Sequence, residues 1–366
     1  MNIYYIIVIT AIFLAFSVRL KIKYGLEIAF VILTAFVGLR YEYFGVDTYS
    51  YMDRYLRLSK LNINPFNIVD IYNSEPNIEI GWVLLNYWLK FLGWPCFQLF
   101  LSVIENFILY KIIKEYVPPT YYWLSIFILG FNKSFLLIGE CSMVRQWLAI
   151  SIVVFAFKYI VNKKIIKYTA CMILAYLIHR TAIIALPAYL LVYVDKLKFT
   201  WKTISILCVC LYIWFSVALD YTFYIDMFIA SSEDYEKYGV WQGDMRQHSF
   251  SLYGLALTFL IPLLSFWGFK EFPKYIKYSC FMCCIGLLFI ALDGYSTIIG
   301  RLGLYFSIFS IVLFPCVIHS IERRFPKSFL HIFLMLLLVF GYVKEFTDTL
   351  KIDVWYSAFN TYKTLL

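Results

Sequence analysis

Residues 144–180 read VRQWLAISIVVFAFKYIV, then NKK, then IIKYTACMILAYLIHR. The stretch consists of two apolar runs joined by a short basic connection. Each run is close to the length that crosses the roughly 30 Å hydrocarbon core of a bilayer as a helix. Inside lipid, a segment that satisfies its own backbone polar groups is a helix. Residues 144–180 therefore predict a hairpin of two membrane-spanning helices.

The same pattern recurs along almost the whole chain of 366 residues, which is 62% hydrophobic and 15% charged. Soluble domains are about 45–50% apolar and about 25% charged. This composition excludes a cytosolic enzyme, a secreted disulfide scaffold, a disordered tail protein and a nucleic-acid-binding protein with a basic groove. We predict an all-α polytopic membrane protein, residues 1–366 forming one integral membrane domain. It has about 12 transmembrane helices, at 2–18, 24–39, 96–114, 119–138, 144–162, 165–180, 181–195, 202–219, 250–269, 277–292, 301–320 and 328–343.

The basic residues predict how these helices are oriented. If the amino terminus is external, the six internal connections hold eighteen of the 32 lysines and arginines but five of the 23 acids. This is the distribution that the positive-inside rule describes. A thirteenth run, 79–93, is interrupted by Asn86 and Lys90. A crossing there would reverse the pattern in one half of the chain, so we expect a re-entrant or surface-lying external helix.

Two polar stretches then face outward, 40–78 and 220–249, and both are rich in tyrosine and acidic residues. Long loops on one face are candidates for elements that cover a substrate. In the first loop, Asp47 stands among several tyrosines. Aromatic faces beside carboxylates suit sugar rings, although tyrosine also forms the interfacial belts of ordinary membrane proteins.

Arginines gather at the predicted external ends of the helices, against the charge bias of that face. They are Arg40, Arg145, Arg180 beside His179, and Arg301. Arginine suits bidentate capture of phosphate oxygens, and a helix amino terminus also favours an anion. A single arginine at a helix end can equally be a snorkelling anchor. Several on one face predict a site for a diphosphate at the bilayer surface.

Other polar residues leave two readings open. His179 can be a functional residue, as a proton acceptor or as a hydrogen-bond donor to phosphate. It can equally be a hydrogen-bonded interfacial residue. Glu105 and Asn106 lie near the middle of a predicted span. They indicate either a proton or ion path or, more often, a polar contact between helices.

Several familiar catalytic motifs are missing from the sequence. It has no Walker sequence, no G-x-G-x-x-G at a helix start, no H-E-x-x-H and no Asp-x-Asp pair for a metal–nucleotide-sugar. The cysteines lie mostly inside apolar runs without zinc spacing. We therefore expect no metal and no cofactor. If sugars are transferred, the donor is expected to be linked to a lipid.

Five short blocks together resemble the EpsG family of Wzy-like bacterial surface-polysaccharide polymerases, over about residues 36 to 306. The blocks are Arg40…Gly45-Val-Asp47-Thr-Tyr…Tyr51, Glu79-Ile-Gly81-Trp…Asn86, Arg145-Gln146-Trp-Leu-Ala149, His179-Arg-Thr-Ala182 and Gly300-Arg301…Tyr305-Phe306. The Arg-Gln-x-x-Ala and His-x-(Ser/Thr)-Ala blocks are the most specific of them.

The resemblance implies a multi-pass protein of the bacterial cell (inner) membrane, with a glycosyltransferase type C-like fold. It would join repeat units carried on undecaprenyl diphosphate into O-antigen, capsule or exopolysaccharide at the external face. The implied partners are these lipid-linked glycans, the bilayer, a chain-length regulator and a flippase, and no nucleic acid. The implied catalytic residues are Asp47, His179, Arg145 and Arg301. The implied substrate-binding residues are Arg40, Tyr51, Glu79, Gln146, Arg180 and Tyr305.

Related functions remain as alternatives. They are an O-antigen ligase, a membrane acyltransferase that modifies the glycan, and a flippase or exporter of lipid-linked oligosaccharides. A flippase is expected to place its cations in a central cavity reached from both faces, whereas the arginines here are predicted to lie on one face.

Overall fold

The computed structural model describes residues 3–41, 43–196, 272–290, 297–326, 329–349, 351 and 359. Within these residues the regular structure is helical, and no strand is present. The predicted spans 202–219 and 250–269, and the predicted external loop 220–249, lie outside the described residues.

The described part of the chain contains thirteen α-helices and four shorter or irregular helical segments. The α-helices are α1 (Ile3–Arg19), α2 (Gly25–Gly38), α3 (Thr48–Ser59), α4 (Ile68–Asn73), α5 (Ile80–Trp88), α6 (Gly93–Tyr116), α7 (Tyr122–Phe131), α8 (Val144–Val161), α9 (Ile165–Ile178), α10 (Lys274–Ile290), α11 (Thr297–Ser307), α12 (Ser310–Arg324) and α13 (Leu330–Thr349). The others are 3₁₀ segments at Lys90–Leu92, Pro119–Tyr121 and Arg180–Lys196, and a π-helical turn at Leu136–Glu140.

Three described helices are long and apolar enough to cross a membrane: Lys90–Tyr116, Val144–Val161 and Leu330–Asp348. A fourth crossing results if Gly300–Ser307 and Ser310–Arg324 form one broken span. Further apolar helices of 10–17 residues accompany them. The chain is therefore a helical membrane protein, while the number of twelve crossings stays a prediction.

The chain divides into two compact units, and a single integral domain stays a prediction. One unit comprises Met1–Tyr189 with Phe314–Leu366, and the other comprises Leu190–Leu313. In the first unit α2 packs on α6, α6 on α8, α8 on α9, and α1 on α7. In the second unit α10 packs on α11.

Two spans that the sequence predicts as continuous are divided in the structure. The first, 119–138, ends its α-helix at Phe131, and the Asn132 side chain then accepts a hydrogen bond from the Ser134 N–H at 3.0 Å. Such a local side-chain bond competes with helix continuation. The second, 301–320, is divided into α11 and α12.

The run 79–93 forms the short helix α5. Its nine residues extend about 13 Å at 1.5 Å per residue, which is less than half of the hydrocarbon core. Gly93, at φ +72°, then turns the chain into α6. A helix of this length is shorter than the hydrocarbon core, and a re-entrant or surface-lying placement of 79–93 stays a prediction.

The segment 40–78 folds into α3 and α4 and packs onto α5 through a small core of its own. Leu58, Ile71, Val83 and Tyr87 form this core. An ion pair between Arg54 Nε and Glu75 Oε2, 3.4 Å apart, joins α3 to the residue that follows α4 closely. The segment is therefore a packed helical element, and its role as a substrate cover stays a prediction.

Candidate functional site

Hydrogen bonds in the first unit join the segments that carry Arg40 and Asp47 to neighbouring helices. There the Gln98 amide donates to the Arg40 backbone carbonyl at 2.8 Å, linking α2 to the start of α6. The Asp47 N–H donates to Ser142 Oγ at 3.1 Å, linking α3 to the segment before α8. Glu27 and Lys114, which the sequence predicts near the internal face, pair with each other at 2.6 Å. Arg40 and Asp47 are thus each fixed through a backbone atom to a side chain of a different segment.

Glu79 is the centre of an ionic cluster formed by the ends of α5, α8 and α9. Its Oε2 accepts a hydrogen bond from Arg145 Nη1 at 2.6 Å. Its Oε1 accepts from the Arg180 backbone N–H at 2.9 Å, and lies 3.6 Å from His179 Nδ1 and 3.9 Å from Arg180 Nε. Residues 66 to 101 positions apart in sequence therefore share one carboxylate.

Helix packing produces this arrangement. Glu79 is the N-cap residue of α5, Arg145 is the second residue of α8, and His179 follows the last residue of α9. α5 approaches α9 closely because Gly81 has no side chain, and a Cβ there would lie 2.6 Å from the Leu177 carbonyl oxygen. The absent side chain of Gly81 thus brings Glu79 to His179.

The electrostatics of the cluster favour a bound anion. Burial alone would raise the pKa of Glu79, but the Arg145 charge and the Arg180 N–H outweigh it and lower that pKa below its ordinary value. Glu79 is therefore ionised at neutral pH. Two guanidinium groups against one carboxylate leave a net positive charge, and Arg145 also lies at a helix amino terminus, where the dipole adds to it.

The loop that carries Asp47 is fixed against the segment before α8. Gly45 has φ +110°, and a Cβ there would clash with the Cys141 carbonyl oxygen. Thr48 Oγ1 donates to the same carbonyl at 2.7 Å. Asp47 is therefore held through its backbone next to Ser142, three residues before Arg145.

Aromatic side chains line this region. The Tyr51 ring packs edge-on to the Trp82 ring, with centroids 5.8 Å apart, one helical turn beyond Glu79. Tyr43 stacks on Tyr49 at 5.1 Å and contacts Tyr41 at the same distance. Both Tyr43 and Tyr49 are exposed. The tyrosines of the first loop thus form a ring array beside the Asp47 loop.

Arg40 has a different environment from the other arginines of this end. Its side chain is 1% exposed, and its Nη1 donates to the Val37 carbonyl at 2.6 Å, so it turns back along α2 into the protein. There it interacts electrostatically with Glu105 and Glu140, which are 2% and 1% exposed. Asn106 bridges the helices by donating to Glu140 Oε1. The reading of Glu105 and Asn106 as a polar contact between helices therefore fits the structure, and a phosphate contact by Arg40 stays a prediction.

The remaining predicted residues divide between the two units. Gln146 is buried in α8 next to Arg145. Arg301 and Tyr305 belong to the second unit, where they lie one turn apart in α11 and Tyr305 is fully buried. A joint role of Arg145 and Arg301 stays a prediction.

Sequence reasoning did not single out Ser142, Trp82 and Gln98 as part of this region. Trp82 belongs to the Glu79-Ile-Gly81-Trp block that resembles the EpsG family, so the sequence did contain a signal for its place in this region. Ser142 and Gln98 contribute single hydrogen bonds to distant backbone atoms, and no local pattern marks them. Among the described residues, no group of three or more His, Cys, Asp or Glu side chains is placed to hold a metal ion.

The chain was compared with curated proteins, solved structures and protein families. Neither the search of curated proteins nor the search of solved structures found a match. The scan against protein families matches residues 23–364 to the EpsG family. With nearly its whole length covered, the chain belongs to the EpsG family, a family of Wzy-like polysaccharide polymerases.

Proposed function

We propose that this protein joins undecaprenyl-diphosphate-linked repeat units into a surface polysaccharide at the external face of the bacterial plasma membrane. The observation that carries the proposal is the ionic cluster of Glu79, Arg145, His179 and Arg180. It combines cations that can bind a diphosphate with groups that can orient an acceptor hydroxyl or accept its proton. It lies at the ends of helices of a membrane protein.

Arg145 is the proposed ligand of the leaving diphosphate. Its guanidinium is already held in place by Glu79 at 2.6 Å, so little reorganisation is needed when charge develops on the leaving group. Preorganised charges of this kind stabilise a transition state effectively. Arg180 adds a more exposed cation beside the same carboxylate, and Arg301 is a further candidate from its motif.

The proposed reaction is a displacement at an anomeric carbon. A hydroxyl of the acceptor unit attacks the anomeric carbon of the growing chain, and the bond from that carbon to the diphosphate oxygen breaks. Undecaprenyl diphosphate leaves with the electron pair of that bond. The hydroxyl proton passes to His179 or Asp47, which act as general base. No metal is needed in this scheme.

The proposed site for the glycan is next to the reacting groups. The exposed rings of Tyr43 and Tyr49 offer flat apolar faces to sugar C–H groups. Asp47, in the same loop, supplies hydrogen-bond acceptors for hydroxyls. The packed segment 40–78 would cover a bound glycan.

A purified-protein assay tests the proposal. The protein is reconstituted in lipid nanodiscs and supplied with lipid-linked repeat units extracted from source cells that lack polymerase activity. We expect a ladder of products from the wild type. We expect none from the folded fraction of Arg145→Ala or Arg301→Ala, compared at equal amounts of folded protein. Arg57→Ala is the matched control, because Arg57 is an exposed arginine of α3 that pairs with Asp53 and Glu75 and lies outside the ionic cluster.

Each other result has a defined meaning. Normal chain lengths in both arginine variants refute the assigned roles. A single transfer product indicates a ligase, and movement of substrate across the bilayer without any covalent change indicates a flippase.

A further inference from the structure

A network of buried polar side chains lies behind the ionic cluster. Among the described residues, its charged members are Arg40 from the end of α2, Glu105 from α6 and Glu140 from the π-helical turn. All three side chains are at most 2% exposed. Gln98 and Asn106 join the network through hydrogen bonds to the Arg40 carbonyl and to Glu140.

The charges of this network do not balance when all three groups are ionised. One guanidinium interacts electrostatically with two carboxylates, and a net charge buried in the protein interior is costly. A single added proton makes the network neutral. The Cys141 thiol beside it does not supply another charge, because burial raises the pKa of Cys141 to about 12.

Several buried atoms of the network have no hydrogen-bond partner. They are Arg40 Nε and Nη2, Gln98 Oε1, Glu105 Oε1, Asn106 Oδ1 and Glu140 Oε2. These atoms include both donors and acceptors, so a proton and ordered water can satisfy them. A metal ion would be repelled by the positive charge of the Arg40 guanidinium. Glu140 lies between α7 and α8, and burial raises the pKa of its carboxyl above the ordinary value.

The network is joined through the backbone to the residues of the proposed reaction. Glu140 is followed by Cys141, whose carbonyl binds Thr48 and contacts Gly45, and by Ser142, which binds the Asp47 N–H. Met143 N–H closes the turn by donating to the Gly139 carbonyl at 3.0 Å. A displaced Glu140 would thus move both the Asp47 loop and the start of α8.

We propose that Arg40, Glu105 and Glu140 form a charge-balanced unit that holds one proton and positions the segment 139–145, and with it Arg145. Arg40 is then a positioning residue that acts through Glu140, not a ligand of the diphosphate. The positioning role rests on the proposed function, whereas the charge balance does not.

Substitutions that change charge but little volume test the charge balance. Glu105→Gln and Glu140→Gln each leave Arg40 with one ionised carboxylate, so we expect at least half of the wild-type folded yield from either. The double variant leaves a buried guanidinium unpaired, and Arg40→Gln leaves two carboxylates without a cation. We expect each of these to lose at least tenfold in folded yield. Glu27→Gln, which breaks the half-exposed Lys114 pair at the other end, is the matched control with near-normal yield.

Restoration by the triple variant is the decisive outcome. Arg40→Gln combined with Glu105→Gln and Glu140→Gln is neutral, and we expect it to regain at least half of the wild-type yield. A double variant as abundant as the wild type, or a triple variant no better than Arg40→Gln, overturns the charge balance. The proton itself is observed by infrared spectroscopy, as a protonated-carboxyl band present in the wild type and absent from both single variants. A band retained in either single variant also overturns the proposal.

The positioning role is tested with the folded triple variant and the lipid-linked units described above. We expect polymer to form with kcat lowered about tenfold and KM changed less than threefold, whereas Arg145→Lys both lowers kcat and raises KM. A folded triple variant without any polymer shows that Arg40 contacts substrate and overturns the positioning role. If the wild type itself forms no polymer, the proposed function fails, while the yields and the infrared band still decide the charge balance.

Discussion

The ion pair between Glu79 and Arg145 allows a quantitative test of the cluster. The two atoms Arg145 Nη1 and Glu79 Oε2 lie 2.6 Å apart, and the side chains are 17% and 12% exposed. At that separation two unit charges attract by roughly 6 kcal/mol with an effective dielectric constant of about 20, and by roughly 1.6 kcal/mol in bulk water. Desolvation opposes the attraction, so we expect a net coupling of about 2–3 kcal/mol.

A double-mutant cycle measures this coupling. Glu79→Gln, Arg145→Met and the double variant are unfolded at equilibrium in mixed detergent micelles, and the free energies of unfolding are compared. Arg180 provides the matched control, because its guanidinium lies 3.9 Å from the same carboxylate and is 54% exposed. Exposed pairs contribute about 0.2–1 kcal/mol, so the cycle of Glu79→Gln with Arg180→Met should give a coupling in that range.

The two cycles share Glu79, so their difference isolates the effect of burial and distance. A coupling below about 1 kcal/mol for Arg145, or equal couplings for both arginines, would refute the reasoning, since the Glu79–Arg145 pair would then be no stronger than a solvated surface pair. In that case Arg145 would not be held in place for a leaving diphosphate.

Three further predictions follow from the site. Gly45→Ala should lower the free energy of unfolding by about 1–3 kcal/mol and abolish polymer, because φ is +110° and the new Cβ clashes. Gly93→Ala is the control, since Gly93 has a positive φ but open space around it, and it should lower the free energy of unfolding less. Equal losses in the two variants would contradict the packing argument. The pKa of Glu79 is lowered from 4.5, so its stabilising contribution is complete above pH 4.5 and is lost as the pH falls through the lowered pKa. The difference in unfolding free energy between wild type and Glu79→Gln should therefore shrink in acid. A difference that grows in acid would contradict this. Tyr43→Ala with Tyr49→Ala should reduce polymer several-fold at unchanged folded yield, measured by gel ladders, and unaltered ladders would remove these rings from the glycan site.

The contacts of Arg40 and Arg145 illustrate how far sequence reasoning reaches. Both arginines follow the same pattern in the sequence, a cation at the predicted external end of an apolar run. In the structure Arg145 meets Glu79 near the surface, whereas Arg40 turns inward to Glu105 and Glu140. The direction of a long side chain depends on which partners neighbouring helices present, and hydropathy does not contain that information.

The run 79–93 and the span 119–138 show, for whole helices, which features the sequence predicts and which it does not. Counting charges over whole loops predicts that 79–93 does not cross the membrane. The structure shows that its α-helix ends at Trp88, and the placement of this run at the membrane stays a prediction. The break after Phe131 and the π-helical turn were missed, because they depend on local hydrogen bonds of Asn132 and on the burial of Glu140.

The sequence alone determined that this is a helical membrane protein of the EpsG family. These properties depend on run length, composition and short motifs, which are local or additive along the chain. The tertiary structure decided which charges meet. Glu79 reaches Arg145 and His179 because α5 packs against α9 at Gly81. Arg40 interacts electrostatically with carboxylates 65 and 100 residues away, because α2 packs on α6 and Asn106 of α6 binds Glu140. Such pairings are set by the packing of distant segments, and the pattern of any one segment does not fix them.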